Sequence, residues 1–326
     1  MANPVQRPSR MTVFRLLLDG AFLPVVCAQI AVALIVLSGM NNQYADLAAQ
    51  MVAPTLLGSA ALVICLLIAR LWHSAALGGV AVLALGLAFW PQVFPGGPAP
   101  EKGAPVVRIY SANVHTFNQD AAAIRQSILA SKADVVVLIE VGPEVTSKLD
   151  QILAGYPYRA PGDVAVGSNT VMASRWRLTS APSPSDGLDA VLSRIESPLG
   201  PIHLAGAHLT RPWPFVESWG QISQTMALQA RLETVPGPKI VVGDFNSVSS
   251  ARIGRQIKTD LGLIPAPGWP GTWPAQLPSV VGITIDQVYR TPELAFVDRR
   301  VGRRNGSDHR PVVTRFTLAE PARSEH

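Results

Sequence analysis

Three long apolar stretches fall within the first 94 residues and limit what this chain can fold into. Residues 21–39, 53–71 and 75–94 are almost free of charged side chains. Each has about the 20 residues that a helix needs to cross the apolar core of a bilayer. Charged residues make up 15% of the chain, against roughly 25% in ordinary globular domains. The sequence therefore predicts an N-terminal membrane domain over residues 1–94 with three transmembrane helices.

The charges that flank these stretches predict an orientation. Arg7, Arg10 and Arg15 precede the first stretch, Asp46 lies in the segment that follows it, and Arg70 separates the second from the third. Positive charge is retained on the cytoplasmic side, so we expect the N-terminus there and the chain after residue 95 outside the cytoplasm. This predicts a multi-pass protein of a bacterial-type inner membrane. A cleaved signal peptide is the alternative interpretation of the first stretch.

After the apolar stretches, a proline- and glycine-rich linker over residues 95–105 leads into a β-rich region. We expect a domain over residues 106–318 and a tail over 319–326. Helices are predicted after Asn118, which we expect to be an N-cap, over 218–232 and near Ser250. Short apolar runs predict strands at 106–113, 134–140, 170–174, 190–195, 202–208, 240–246, 283–289 and 312–318. This alternation indicates a layered α/β domain.

Composition narrows the chemistry of that domain. The only two cysteines, Cys27 and Cys65, lie in the apolar stretches, which excludes a disulfide framework or a zinc-thiolate site in the α/β region. The net charge of +5 suits an anionic partner, such as a phosphorylated substrate, a nucleic acid or an acidic membrane surface.

Polar side chains recur where the predicted strands end or begin. A buried strand has little use for ionisable groups at its end, although each could alone be a solvated strand terminus. The pattern is clearest where five apolar residues run directly into Glu140. The residues that share this placement are Asn113, Glu140, His208, Asp244, Asn246, Asp286, Asp308 and His309.

Two pairs among these residues suggest specific chemistry. Asp244 and Asn246 are two apart, so in an extended chain they point the same way. The carboxylate can hold a hard cation or orient a water, while the amide can donate to a phosphate oxygen. An ordinary strand end that enters a turn is the alternative. Asp286 is a candidate partner for His309, because a carboxylate at one imidazole nitrogen fixes the tautomer of the ring.

The ordered set of motifs resembles the endonuclease/exonuclease/phosphatase (DNase I-like) superfamily. Its pieces are Tyr110-Ser-Ala-Asn113, Leu138-Ile-Glu140, His208, Gly243-Asp-Phe-Asn-Ser247, Ile285-Asp286 and Ser307-Asp-His309. The resemblance implies a four-layer α/β sandwich and hydrolysis of a phosphoester or phosphoanhydride with Mg²⁺ or Mn²⁺.

The resemblance also implies roles for individual residues. Glu140 is the principal metal ligand, and Asn113 and Asp308 lie close to the ion. Asp244 orients the attacking water. His309, oriented by Asp286, is a general base or a hydrogen-bond donor in the transition state. His208 protonates the leaving oxygen or holds the phosphate, and Asn246 holds a phosphate oxygen.

Three apolar spans ahead of such a domain are similar in architecture to the teicoplanin-resistance membrane proteins of bacteria, which implies a lipid-linked diphosphate. Arg211, in a proline-stiffened loop with two tryptophans nearby, is a candidate for contact with a lipid phosphate, and a packed surface loop is the alternative. We thus expect a membrane-anchored phosphohydrolase acting on a lipid-linked or other extracytoplasmic substrate. An exported DNase-like endonuclease and an inactive phospholipid-binding receptor are the alternatives.

Overall fold

The computed structural model describes residues 9–161 and 169–321. The chain divides into two compact units, Met1–Pro91 and Gln92–His326. Arg7, used above for the orientation, and residues 322–326 of the predicted tail lie outside the described residues.

The first unit consists of long helices. They are α1 (Arg10–Leu37), α2 (Gln43–Ala69) and α3 (Trp72–Val93), with mean hydropathies of 2.5, 2.4 and 1.7 over their most apolar windows. By length and composition all three can cross a membrane. The first two begin well before the predicted spans, because the side chains of Ser9 and Asn42 accept backbone N–H groups of the first turn and so cap each helix.

The second unit is built from strands and short helices. The strands are β1 (Val107–Asn113), β2 (Val135–Ile139), β3 (Tyr158–Ala160), β4 (Val171–Ser174), β5 (Leu178–Ser180), β6 (Asp189–Ser197), β7 (Gly200–His208), β8 (Lys239–Asp244), β9 (Ile264–Pro265), β10 (Asp286–Arg290), β11 (Leu294–Val301) and β12 (Val312–Leu318). The helices are α4 (Ala121–Ser131), α5 (Pro143–Ser147), α6 (Leu149–Ile152), α7 (Ser218–Glu233) and α8 (Arg252–Asp260), with a short 3-10 turn at Ser279–Val281.

These elements form the predicted four-layer α/β sandwich. One mixed sheet has the order β11-β12-β1-β2-β4-β3 and the other the order β5-β6-β7-β8-β10-β9. The inner faces of the two sheets meet in an apolar core that includes Val137, Leu204 and Val242. Helices α4, α5 and α6 cover the outer face of the first sheet, and α7 and α8 cover that of the second.

Parallel pairing in the middle of each sheet decides where the strand ends lie. Strands β1 and β2 run parallel, as do β7 and β8. Parallel neighbours end at the same edge of a sheet. The antiparallel strand β10 begins at that edge, with Asp286 opposite Asp244, and β12 begins beside the end of β1, with Val312 opposite Ser111. One rim of the sandwich thus collects strand ends from both sheets.

Eight predicted strands correspond to β1, β2, β4, β6, β7, β8, β10 and β12. The prediction that Asn118 is the N-cap of α4 is wrong, because Asp120 accepts the backbone N–H of Ala123 at 2.8 Å. Asn118 instead donates from Nδ2 to the carbonyl of Asn305 at 3.0 Å. Polar side chains near a helix start compete for the capping position, and tertiary contacts decide between them.

Candidate active site

Side chains that are far apart in sequence meet at this rim. Asn113 ends β1, Glu140 directly follows β2, His208 ends β7 and Asp244 ends β8. The Nδ2 of Asn113 donates to Glu140 Oε1 at 2.8 Å and to Asp244 Oδ2 at 3.0 Å. This amide therefore bridges two carboxylates from different sheets.

Two histidines flank the central carboxylates. His208 Nε2 lies 3.5 Å from Glu140 Oε1 and 3.9 Å from Asp244 Oδ2. His309 Nε2 lies 3.8 Å from Asp244 Oδ2, while its Nδ1 is 3.0 Å from Asp286 Oδ2. The structure thus brings Asp286 and His309 together as the sequence suggested.

Burial and neighbouring charges perturb the central groups. Burial, with the nearby Asp286 carboxylate, raises the pKa of Asp244 to about 6. Burial opposes the charged form of His309, but Asp286, Asp244 and Asp308 outweigh it and raise the pKa of this imidazole to about 10. Perturbed pKa values of this kind concentrate at functional sites.

The other sequence-predicted residues lie around this centre. Asn246 donates from Nδ2 to the carbonyl of Leu209 at 2.9 Å, beside the end of β7. Asp308 precedes His309, and its carboxylate accepts from Trp273 Nε1 at 3.3 Å. The Arg211 guanidinium lies 6.0 Å from the ring centroid of Phe215. Among residues 9–161 and 169–321, it forms no hydrogen bond or ion pair with Glu140 or Asp244.

The backbone around the site is held in unusual conformations. Glu140 and Asn246 have φ angles of +57° and +48°. Few residues other than glycine adopt this left-handed region, and where they do the surrounding structure holds them there, often at functional sites. The left-handed turn at Glu140 directs the chain out of β2 toward Thr116, whose N and Oγ1 lie 3.4 and 3.5 Å from Glu140 Oε2.

The glycine before Asp244 is required by a close backbone approach. At Gly243 a Cβ atom would overlap the carbonyl oxygen of Ala207 in the neighbouring strand, and φ is +151°. A side chain at this position would push β8 away from β7. Since Asp244 is the next residue, the glycine fixes the distance between its carboxylate and His208.

We expect the Gly243→Ala variant to lose about 3 kcal/mol of stability through this overlap and to displace Asp244. Chemical denaturation of the full chain measures the loss of stability. A lower rate of phosphoester hydrolysis reports the displacement of Asp244. Gly262→Ala is the matched control, because Gly262 has a φ of +64° but open space around it. Equal losses in the two variants would contradict the steric argument.

Sequence reasoning missed Asp189. It begins β6 and lies opposite His208 in the antiparallel register. Its Oδ1 accepts from Thr170 Oγ1 at 3.0 Å, and within the described ranges its buried Oδ2 has no hydrogen-bond partner. Burial raises the pKa of Asp189. The signal was an aspartate one residue before a predicted strand, and only the register places it beside His208.

The donor set fits a hard divalent cation. Ligand atoms of Glu140, His208 and Asp244 all lie within 4.8 Å of one another, and so do those of Asp244, Asp286 and His309. Buried carboxylates that repel one another are stabilised by a cation, and their oxygens with the nearby Asn113 amide are the ligands that Mg²⁺ and Mn²⁺ prefer. The α/β domain has no cysteine, so a thiolate-bound metal is excluded there.

A four-layer sandwich with carboxylates, amides and paired histidines at one rim defines a metal-dependent hydrolase of phosphoester bonds. The sequence model of the Endonuclease/Exonuclease/phosphatase family matches residues 110–309, a range that includes all eight of the polar residues predicted at strand ends. The chain belongs to this family, whose members depend on divalent metals. No curated protein sequence matches the chain.

Solved structures agree on the fold. An endonuclease/exonuclease/phosphatase from Beutenbergia cavernae is 23% identical, with a TM-score of 0.52, over 66% of this chain and 72% of that one. One from Bacteroides vulgatus is 17% identical, with a TM-score of 0.55, over 66% of this chain and 99% of that one. TDP2 of D. rerio, complexed with a single-strand DNA product, is 16% identical, with a TM-score of 0.51, over 65% of this chain and 99% of that one.

Proposed function

We propose that the protein is a membrane-anchored, Mg²⁺-dependent phosphohydrolase that cleaves a phosphoester or phosphoanhydride of a lipid-linked substrate outside the cytoplasm. The observation that supports the lipid assignment is a set of exposed apolar side chains on the segments that follow two strand ends of the catalytic rim. Phe117 follows Asn113 and is 81% exposed, while Phe215 and Trp219 follow His208 and are 71% and 64% exposed. Large exposed apolar side chains that cluster at a site indicate an apolar partner.

Each site residue has a defined task in this reaction. A divalent cation would be held by Glu140 with Asn113 and Asp308, and it supplies positive charge to the phosphate oxygens. Asp244 orients a water for in-line attack on phosphorus and accepts its proton. Asn246 holds a phosphate oxygen.

Both histidines act on the phosphoryl group, and their Nε2 atoms lie 3.9 and 3.8 Å from Asp244 Oδ2. His309, fixed by Asp286 at Nδ1, donates a hydrogen bond from Nε2 to the oxygen on which negative charge develops. His208 donates a proton to the leaving oxygen as the bond from phosphorus breaks. Arg211, in the loop after His208, contributes to substrate binding.

The decisive experiment compares substrates with the full-length protein in detergent and Mg²⁺. We expect release of phosphate from an isoprenyl diphosphate, or cleavage of a phospholipid in mixed micelles, that exceeds the rates on inositol phosphates and on DNA. Chelation with EDTA should abolish the reaction, and added Mg²⁺ should restore it. Faster cleavage of DNA than of every lipid would overturn the lipid assignment while leaving the hydrolase class intact.

The exposed aromatic side chains give a separate prediction. Trp219→Ala and Phe215→Ala should each lower the rate on vesicle-bound lipid by about thirtyfold, because a buried aromatic side chain contributes about 2 kcal/mol of transfer free energy. The rate on a soluble chromogenic diester should not change. Met226→Ala is the control, since Met226 is 51% exposed on the same helix two turns further along. An equal loss on both substrates would contradict a role in lipid contact.

A nuclease is the second candidate, and exposed arginines favour it. Arg300, Arg303 and Arg304 are exposed on β11 and on the loop that leads to Asp308. Arginines in such a position attract a polyanion. If nucleic acid is the substrate, cleavage of plasmid or single-stranded DNA by the full-length protein should require Asp244 and should weaken steeply as the salt concentration rises.

A further inference from the structure

A cavity lies in the helical unit, and none of the residues that line it belongs to the catalytic rim. Its volume is about 590 Å³, and it is lined by Thr12, Arg15, Leu16, Asp19, Arg70, Trp72 and His73. The four residues from α1 recur at spacings of three and four, so they share one face of that helix. The others are Arg70, in the turn between α2 and α3, and Trp72 and His73, in the first turn of α3. The cavity thus opens between the first turns of α1 and this turn.

The one carboxylate of the cavity already has partners. Asp19 Oδ1 accepts the backbone N–H of Ser74 at 2.8 Å. Asp19 Oδ2 accepts the backbone N–H of His73 at 3.2 Å and contacts His73 Nδ1 at 2.9 Å. Asp19 therefore caps the first turn of α3, where it neutralises the positive end of the helix dipole.

The two arginines of the cavity lack an acidic partner. Neither Arg15 nor Arg70 forms an ion pair with any residue of 9–161 or 169–321. Arg70 follows the last turn of α2 in the left-handed conformation, with a φ of +60°, and so extends the chain away from the helix axis. Because the Asp19 carboxylate is bonded to the start of α3, the cavity presents two arginines that form no ion pair among the described residues and a histidine side chain that is 78% exposed.

The position of the cavity along the helices indicates which anion it takes. It lies at the ends of three helices that are long and apolar enough to cross a membrane. Trp72 lines it and is 60% exposed, and tryptophan favours the level of the lipid head groups. Leu16 adds an apolar wall. Basic pockets between transmembrane helices, at head-group level, suit an anionic lipid.

We propose that this cavity binds the phosphate of an anionic glycerophospholipid, with Arg15 and Arg70 as its ligands. The guanidinium groups donate to the phosphate oxygens, and the acyl chains follow the apolar surface of α1. This site shares no residue with the catalytic rim, and it holds a bound lipid rather than a substrate. Its existence does not depend on the proposed function.

Native mass spectrometry of the full chain tests the proposal. The protein is released from detergent micelles that contain equal amounts of phosphatidylglycerol and phosphatidylcholine. We expect the wild type to retain phosphatidylglycerol. The variants Arg15→Gln and Arg70→Gln should each bind it about tenfold more weakly, because each removes a charge-assisted contact with the phosphate.

Arg10→Gln is the matched control. Arg10 carries the same charge on the first turn of α1 but does not line the cavity, so its removal should leave lipid retention unchanged. Helical content by circular dichroism and hydrolysis of a soluble diester verify that the variants are folded. Losses as large in Arg10→Gln as in the other two variants, or equal retention of phosphatidylcholine, would overturn the proposal. Displacement of the lipid by millimolar glycerol 1-phosphate would also overturn it and would assign the cavity to a soluble phosphate.

Discussion

The Glu140→Gln variant is expected to lose at least about a thousandfold in turnover on any phosphoester that the protein cleaves. Glu140 supplies negative charge where Asn113 Nδ2 and His208 Nε2 also converge, at 2.8 and 3.5 Å from its Oε1. Glutamine keeps the shape and one acceptor oxygen but not the charge. The backbone at φ +57° and the fold should therefore survive, while the affinity for the divalent cation falls.

Calorimetric titration with Mg²⁺ separates this cause from a general loss of structure. We expect the cation affinity to fall at least tenfold in Glu140→Gln, with an unchanged midpoint of thermal unfolding for the metal-free protein. Glu144→Gln is the control, because Glu144 is an exposed glutamate on α5 that pairs with Lys148. Unchanged Mg²⁺ binding in Glu140→Gln would remove Glu140 from the set of cation ligands.

The sequence predicts the rim because parallel strands impose a simple rule. An apolar run that ends in a polar residue, as Val135–Ile139 does before Glu140, predicts the place of that residue once the neighbouring strand runs parallel. The same rule applies to His208 and Asp244. The family resemblance supplied the pairing of the sheets, which no local pattern contains.

What the sequence does not predict depends on register and on packing between distant elements. Asp189 lies beside His208 only because β6 and β7 form a hairpin in one particular register. Trp273 reaches Asp308 across 35 positions of the chain. Strands β3, β5 and β9 have two or three residues each, too few for an alternating pattern to be recognised. The cavity between α1 and the α2–α3 turn likewise arises from helix packing.

The second large effect is expected at His309. His309→Gln should lower kcat by roughly 10²- to 10⁴-fold, the range for loss of a group that donates or accepts a proton in the transition state. The imidazole is buried, with Nε2 3.8 Å from Asp244 Oδ2, and glutamine cannot carry the positive charge. His203→Gln is the control, since His203 lies on β7 but toward its other end. Its turnover should equal that of the wild type.

Asp286 should act through His309, and a double-mutant cycle tests this. Asp286→Asn keeps an acceptor for Nδ1 of His309, 3.0 Å away in the wild type, but removes the charge that stabilises the imidazolium. We expect a loss of about tenfold in kcat for Asp286→Asn alone. In the His309→Gln background the same change should cost almost nothing, because residues that act as a unit are strongly non-additive. Additive losses would show that Asp286 affects turnover through its cross-strand neighbour Asp244. They would also show that Asp286 is not the positioning residue of His309.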